Sequence, residues 1–238
     1  MPSVAEELYE RWLATQTLSV IVVGTAKNVG KTTTVAALLE VAELRNVRVG
    51  LTSIGRDGEA FDAVDNTPKP RIFIEAGTVV AAGRALLPHA RTIDVLAEQE
   101  QSALGPIVFY RSLIPQHVEI SGAPTARAMR AVIERLAGFG VDRVIVDGAI
   151  DRVAILATGE EPVIVATGIA LAPTIEATAE ATRRFLSAGK LDRARILACT
   201  TCPVGEGRTV EAEALLRAVA EATGLPAYDV QAGLRWIR

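Results

Sequence analysis

The feature that most constrains this 238-residue chain is a glycine-rich segment that follows an apolar run. Residues 18–23 read LSVIVV and residues 24–32 read GTAKNVGKT, a segment called here the phosphate loop. It matches the pattern G-x-x-x-x-G-K-[ST] with one extra residue between the glycines. Loops of this kind bind phosphate because backbone N–H groups and a helix N-terminus face the anion. The sequence therefore predicts a strand before the loop and a helix after it.

Separate roles are predicted for the residues of the phosphate loop. Lys31 would reach the β- and γ-phosphates of a nucleoside triphosphate, and the Thr32 hydroxyl would bind Mg²⁺. Lys27, on the crest of the loop, is predicted either to contact phosphate as a catalytic residue or to be exposed to solvent. The residues predicted to bind the nucleotide are Gly24, Thr25, Asn28, Val29, Gly30, Lys31, Thr32 and Thr33.

A second apolar segment ends in a carboxylate, because residues 144–147 read VIVD. In nucleotide sites an acidic residue at the end of a strand helps to hold Mg²⁺. Asp147 is therefore predicted to be a metal ligand and a catalytic residue, with a helix cap or turn as the alternative. Asp151 is predicted either to polarise water or contact a partner, or to be a loop charge.

The order of the segments predicts an α/β fold, with a mostly parallel sheet covered by helices on both faces. Ser3 and Glu6 form a capping-box pattern, which predicts a helix before the first strand. One domain, residues 1–238, is expected. Strands are predicted at residues 18–23, 47–52, 107–110, 143–146, 162–165 and 195–198, and helical spacing of apolar residues at 35–44, 129–136, 175–186 and 210–219.

Residues 55–101 interrupt this alternation and are interpreted as an insertion after strand two. RIFIE at 71–75 and TVVA at 78–81 flank Ala76 and Gly77, a pattern typical of a β-hairpin. Ligands of open α/β sheets bind outside the carboxyl ends of the strands, so the insertion would either determine specificity or cover the sheet edge. The candidate substrate ligands, which are alternatively exposed loop charges, are Arg56, Asp57, Lys69 and Arg71.

Composition argues against several classes of protein. A net charge of −3 gives no electrostatic case for nucleic-acid binding. No apolar stretch reaches the roughly 20 residues of a membrane span, and the acidic N-terminal segment lacks a signal-peptide pattern, so a cytoplasmic protein is predicted. Cys199 and Cys202 are too few for a secreted disulfide framework. They are predicted to be structural thiols, with a redox or metal role as the alternative.

The phosphate loop and VDGA at 146–149 together resemble the class of P-loop NTPases that contains dethiobiotin synthetase, cobyrinic and cobyric acid synthases and the MinD and ParA ATPases. Dethiobiotin synthetases carry a similar G-T-x-x-x-V-G-K-T loop with the same extra residue. The resemblance implies binding of ATP and Mg²⁺, and a homodimer with nucleotide near the interface. This chain departs from the sequence patterns of that class at two places. LTSIGR at 51–56 stands in place of a K-P-V segment, and Lys27 precedes Lys31 by four residues where MinD-like ATPases have five.

A use of ATP on a small-molecule acceptor is therefore expected, with an ATPase switch that acts on a protein partner as the alternative. In the first function, Lys31, Thr32 and Asp147 neutralise charge during phosphoryl transfer. For the switch, residues 52–59 and 67–71 resemble accessory proteins of cobalamin-dependent amino-acid aminomutases. ATP is favoured over GTP, because GKLD at 189–192 lacks the first residue of the guanine-reading [NT]-K-x-D segment.

Overall fold

The computed structural model describes residues 2–54, 71–102, 104–148, 161–188, 191 and 195–237, which form an α/β fold. The helices are α1 (Val4–Leu13), α2 (Lys31–Leu44), α3 (Ala126–Gly138), α4 (Ile175–Ser187) and α5 (Ala212–Thr223). The strands are β1 (Ser19–Gly24), β2 (Val49–Ile54), β3 (Ile72–Ile74), β4 (Val79–Gly83), β5 (Ile93–Ser102), β6 (Gly105–Ser112), β7 (Gln116–Val118), β8 (Arg143–Gly148), β9 (Pro162–Gly168), β10 (Arg195–Cys202), β11 (Val204–Gly205), β12 (Arg208–Thr209), β13 (Ala227–Asp229) and β14 (Leu234–Trp236).

The chain divides into two compact units. The first comprises Met1–Val41 and Gly148–Arg238, and the second comprises Ala42–Asp147. That the whole chain acts as one domain stays a prediction. Among the helices of the described residues, none has the length and apolar character that crossing a membrane requires.

The first unit is built on strands that neighbour one another in the order β14, β13, β10, β9 and β1. The strands from β13 to β1 are parallel, and β14 is antiparallel to β13. Every residue of β1 and β9 is buried, as expected for parallel strands covered on both faces. Helices α4 and α5 contact each other, and α5 packs on β10, β13 and β14.

The first helix confirms the capping-box prediction. The Ser3 hydroxyl accepts a hydrogen bond from the Glu6 N–H at 3.1 Å, and the Glu6 carboxylate accepts one from the Ser3 N–H at 2.6 Å. Val4, Leu8 and Trp12, which recur every fourth residue, are buried. Helix α1 contacts β10 and β13, so its apolar face covers part of this sheet.

In the second unit the strands neighbour one another in the order β8, β2, β4, β6 and β5. β4 is parallel to β2 and antiparallel to β6, and β6 is antiparallel to β5. Helix α3 contacts β2 and β4 and buries the apolar residues that predicted it, namely Met129, Val132, Ile133 and Leu136. The second unit is therefore a mixed sheet with a helix packed on it.

The predicted hairpin between residues 71–75 and 78–81 is wrong. β3 pairs antiparallel with β7 in a separate two-stranded sheet, whereas β4 lies between β2 and β6. All residues of β4 are buried, as expected for a strand in the interior of a sheet, while β3 exposes Phe73 between two buried isoleucines. The hairpin in this part of the chain instead joins β5 to β6.

The other predicted strands are confirmed, with shifted boundaries. Strand two was expected at residues 47–52 and forms at Val49–Ile54. Residues 107–110, 143–146, 162–165 and 195–198 each lie inside a longer strand. The extra length is mostly at the carboxyl ends, where glycine, threonine and cysteine follow the apolar residues that predict a strand.

Candidate functional site

The phosphate loop connects a strand to a helix, as the sequence predicts. β1 ends at Gly24 and α2 begins at Lys31. A Cβ atom at Gly24 would lie 3.2 Å from the Ala26 carbonyl oxygen and 3.2 Å from Cγ2 of Val29. The loop therefore folds back over its first glycine, which leaves little room for a side chain there.

Two residues of the loop have left-handed backbone conformations. Asn28 has φ +57° and Gly30 has φ +85°. Glycine takes this conformation without steric cost, and asparagine takes it more readily than most residues. Turns with left-handed residues are typical of the backbone concavities that bind anions through successive N–H groups. The loop therefore has the backbone geometry that its sequence predicts for a phosphate site.

The start of α2 adds further donors. The first N–H groups of a helix have no acceptor inside the helix, and the helix dipole favours an anion beside them. Lys31, the first residue of α2, donates from Nζ to the Gly148 carbonyl oxygen at 3.2 Å. The side chains of Thr32 and Thr33 are half-buried in the same turn. That Lys31 binds phosphate and Thr32 binds Mg²⁺ stays a prediction.

Two threonines connect the loop to neighbouring strands by hydrogen bonds. The Thr34 hydroxyl donates to the Gly30 carbonyl oxygen at 3.1 Å and lies 2.7 Å from the Thr200 hydroxyl on β10. Thr25 is buried, and its N–H donates to the Ala166 carbonyl oxygen on β9 at 2.9 Å. Both ends of the loop are therefore tied to the parallel sheet of the first unit.

The crest of the loop faces solvent. The side chains of Lys27 and Asn28 are exposed, whereas Val29 is 1% exposed and belongs to the core. The exposed position of Lys27 is compatible with both of its predicted roles, and its contact with phosphate stays a prediction. Val29 can bind a nucleotide only through its backbone, because its side chain is enclosed by protein.

Asp147 is half-buried near the end of β8 and belongs to the second compact unit. Its carboxylate and the Thr32 hydroxyl are oxygen donors of the kind that Mg²⁺ prefers. The residues present therefore have the donor chemistry for this ion. That Asp147 and Thr32 bind one ion together stays a prediction.

Of the predicted substrate ligands, Arg71 alone lies within the described residues. Arg71 precedes β3, and its Nε donates to the Glu119 carboxylate at 3.0 Å in an exposed ion pair. Arg56, Asp57, Lys69 and Asp151 lie outside the described residues, as does most of the GKLD segment at 189–192. Substrate binding by these residues stays a prediction.

The two cysteines lie in different environments on β10, and both thiols are free. Cys199 is fully buried, and burial raises the pKa of its thiol to about 12, against the smaller opposing effect of a hydrogen bond with Thr223. Cys202 is half-buried, and its thiol donates to the Val204 carbonyl oxygen at 3.2 Å. Where the chain is described, no group of three or more His, Cys, Asp or Glu could hold a metal ion.

The polar contacts that hold the loop were not predicted from the sequence. Their partners on the sheet lie in the segments ATG at 166–168 and CTTC at 199–202. Hydroxyl residues at the carboxyl ends of otherwise apolar strands are a usable signal, because such ends face the ligand in α/β sheets. The partner of each hydroxyl cannot be read from that signal.

No protein-family model and no curated protein matches the chain. Three solved structures are similar to it over most of its length. They are the signal recognition particle receptor FtsY from Elizabethkingia anophelis (13% identity, 98% of this chain and 68% of that one, TM-score 0.48), pNOB8 ParA bound to nonspecific DNA (15%, 86% and 74%, 0.42) and the hydrogenase maturation factor HypB from Archaeoglobus fulgidus (14%, 97% and 89%, 0.39). With TM-scores below 0.5, they add nothing to what the strand order and the loop geometry establish.

Proposed function

We propose that the protein is a P-loop NTPase that binds ATP with Mg²⁺ through residues 24–33. The observation that carries the proposal is the loop between β1 and α2. Its left-handed residues Asn28 and Gly30 lead directly into a helix that begins at Lys31. Backbone concavities and helix N-termini are both recurrent protein sites for phosphate, which supports the proposal.

Each group of the loop would then have a defined task. Backbone N–H groups at the start of α2 would donate to phosphate oxygens. Lys31 would exchange its hydrogen bond with the Gly148 carbonyl for one with a phosphate oxygen, which is stronger because both partners are charged. Thr32, with Asp147 as the second proposed ligand, would hold Mg²⁺, which lowers the negative charge that builds up on the transferring phosphoryl group.

We propose further that the γ-phosphoryl group is used on a small-molecule acceptor, as in a kinase or a synthetase. The support is the likeness of the phosphate loop, including its extra residue, to the loop of dethiobiotin synthetases. A homodimer is part of this proposal, because the resemblance that suggests ATP also implies nucleotide near a dimer interface. The acceptor would bind beyond the carboxyl ends of the parallel strands, where ligands of open α/β sheets lie.

Calorimetry with three forms of the protein tests nucleotide binding. Wild type is expected to bind Mg-ATP, and Lys31→Ala to bind at least about tenfold more weakly, equivalent to about 1.4 kcal/mol. Arg195→Ala is the matched control, because it removes one exposed positive charge from the amino end of β10, away from the loop. Circular dichroism should show all three folded. An unchanged affinity for Mg-ATP in Lys31→Ala would contradict the proposal.

Turnover assays test the proposed acceptor. ATP consumption that depends on a defined metabolite, and is lost in Lys31→Ala, would support a small-molecule acceptor. Slow basal hydrolysis that a protein partner accelerates would contradict it and support the switch. Titration with Mg-GTP in parallel tests the proposed base, since tighter binding of GTP would overturn the choice of ATP.

A further inference from the structure

A row of buried threonine hydroxyls links the phosphate loop to helix α4 within the first unit. The Thr25 hydroxyl donates to the Thr167 hydroxyl on β9 at 3.1 Å. The hydroxyls of Thr167 and Thr182 lie 2.7 Å apart, and Thr182 donates to the Thr178 carbonyl oxygen at 2.8 Å. Thr25 is 8% exposed and the other three are 0% exposed. Water therefore cannot readily replace a bond that is lost from this row.

The direction of each hydrogen bond in the row follows from its last acceptor, the Thr178 carbonyl oxygen. A hydroxyl has one hydrogen to donate, and a carbonyl oxygen can only accept. Thr182 uses its hydrogen on the Thr178 carbonyl, so it must accept from Thr167. Thr167 then has no hydrogen left for Thr25 and accepts from it. All three hydroxyl hydrogens therefore point away from the loop and toward α4.

The same bonds use up the donors of Thr25. Its hydroxyl donates to Thr167, and its N–H donates to the Ala166 carbonyl oxygen at 2.9 Å. Neither hydrogen remains for a phosphate oxygen. We infer that Thr25 is an anchor of the phosphate loop and not a donor to phosphate, and that Thr167 and Thr182 are the positioning residues that hold it. This inference rests on the proposed function of the loop as a triphosphate site.

The other end of the loop has an anchor of its own. Thr34 bonds to the Gly30 carbonyl oxygen and to the Thr200 hydroxyl. Residues 26–29 therefore lie between two residues with fixed positions. Thr25 is hydrogen-bonded to Thr167 on β9, and Gly30 is held by Thr34, which contacts Thr200 on β10. A site held in its binding conformation loses less conformational entropy when the ligand binds. The threonine row therefore acts on nucleotide affinity without touching the nucleotide.

The first test removes the central hydroxyl. Thr167→Val keeps the shape of the side chain and breaks both bonds, and Thr167→Ser keeps the hydroxyl. We expect Mg-ATP affinity to fall about five- to tenfold in the valine variant and to stay within about twofold of wild type in the serine variant. Thr52→Val is the matched control, because this 0% exposed threonine of the second unit donates to the Ala81 carbonyl oxygen at 3.0 Å. It should lower stability and leave affinity unchanged.

A double-variant comparison separates an anchor from a phosphate ligand. If Thr25 acts through Thr167, the double variant Thr25→Val/Thr167→Val should bind Mg-ATP within about twofold of either single variant. Losses that multiply in the double variant would overturn the anchor, because Thr25 would then act on phosphate separately. Thr182→Val breaks the hydrogen bond between Thr167 and Thr182 and replaces Thr167→Val in these tests if Thr167→Val folds poorly.

Hydrogen exchange without nucleotide distinguishes a failure of this inference from a failure of the proposed function. In Thr167→Val the amides of residues 24–30 should exchange faster than in wild type, and in Thr52→Val they should not. Faster exchange supports the anchor even if calorimetry shows that the wild-type protein binds no nucleotide. Unchanged exchange in the loop of Thr167→Val would overturn the inference, whatever the nucleotide results.

Discussion

A Cβ atom placed on Gly30 would lie 3.1 Å from the Cβ of Cys202 and 3.8 Å from its sulfur. The last glycine of the phosphate loop therefore packs its backbone against a side chain at the end of β10. The backbone at Gly30 also has φ +85°. Conformation and space therefore both disfavour a side chain at this position.

Gly30→Ala is expected to destabilise the protein by more than the cost of conformation alone. A left-handed alanine costs about 1–2 kcal/mol, and the contact with Cys202 adds to it. Gly224→Ala is the matched control, since Gly224 has φ +71° and nothing within 4 Å of its Cβ position. Urea unfolding should show a larger loss for Gly30→Ala. Equal losses in the two variants would mean that Cys202 moves aside freely.

Cys202 is expected to react with a thiol reagent at pH 8 well before Cys199. Cys202 is half-buried, whereas Cys199 is fully buried with its pKa raised to about 12. Because the Cys202 sulfur lies beside Gly30, the added group should displace the loop and weaken binding of Mg-ATP. Peptide mass spectrometry would locate the label, and calorimetry would measure the affinity.

The control for this labelling is Cys202→Ser, which should lose the fast reaction and keep the affinity for Mg-ATP. Bound nucleotide should also slow the labelling of wild-type Cys202 by fixing the loop. Labelling of Cys199 first would contradict the assigned burial of the two thiols. An unchanged affinity for Mg-ATP after Cys202 is labelled would contradict the prediction that a group added to Cys202 displaces the loop at Gly30.

The elements that could be predicted from the sequence are those stabilised by residues close together in the chain, such as helix α1 and the phosphate loop. Ser3 and Glu6 bond to each other across one helical turn, so their spacing is sufficient to place α1. The phosphate loop was equally predictable, because a strand, a glycine-rich turn and a helix follow one another in the chain. Most of the confirmed strands are runs of apolar residues that are buried in the sheet, as in β1 and β9.

Elements that depend on distant partners were not predictable from one sequence. β3 and β4 flank a turn at Gly77, yet each pairs with strands elsewhere in the chain. Thr25 and Thr167 are 142 residues apart, and no spacing rule relates them. The threonines at the strand ends could have been marked as candidates, but only the sheet order brings each hydroxyl to its partner.

Gly122→Ala is expected to disrupt the second unit severely. A Cβ at this position would lie 1.5 Å from the Ser53 carbonyl oxygen, so the backbone near the end of β2 would have to move. The expected loss is at the upper end of the about 1–3 kcal/mol range for overpacking, or beyond it. Thermal unfolding followed by circular dichroism measures the effect.

Gly138→Ala in the same unit is the control for this substitution. Gly138 is the last residue of α3, and nothing lies within 4 Å of its Cβ position. Alanine there should be neutral or stabilise the helix by up to about 1 kcal/mol. If the two variants unfold alike, the close approach of Gly122 to Ser53 does not exist in solution.

The thiol of Cys199 is held in its neutral form by its surroundings. It lies on β10, 0% exposed, and burial is the main cause that raises its pKa from the ordinary value of 9.0 to about 12. In the unfolded chain the thiol is exposed to water and loses its proton near its ordinary pKa. Between these two pKa values the folded state therefore binds more protons than the unfolded state.

Stability should consequently fall as pH rises from about 9 toward 12, because the unfolded state gains from losing a proton that the folded state keeps. The slope from this one thiol is at most about 1.4 kcal/mol per pH unit. Cys199→Ala removes it, so the free energies of unfolding of wild type and variant, measured in urea at pH 8.0, 9.5 and 10.5, should converge with increasing pH. Buried Tyr110, whose pKa is also raised by desolvation, contributes equally to both proteins and cancels. Parallel curves would show that Cys199 ionises as readily in the folded protein as in the unfolded chain.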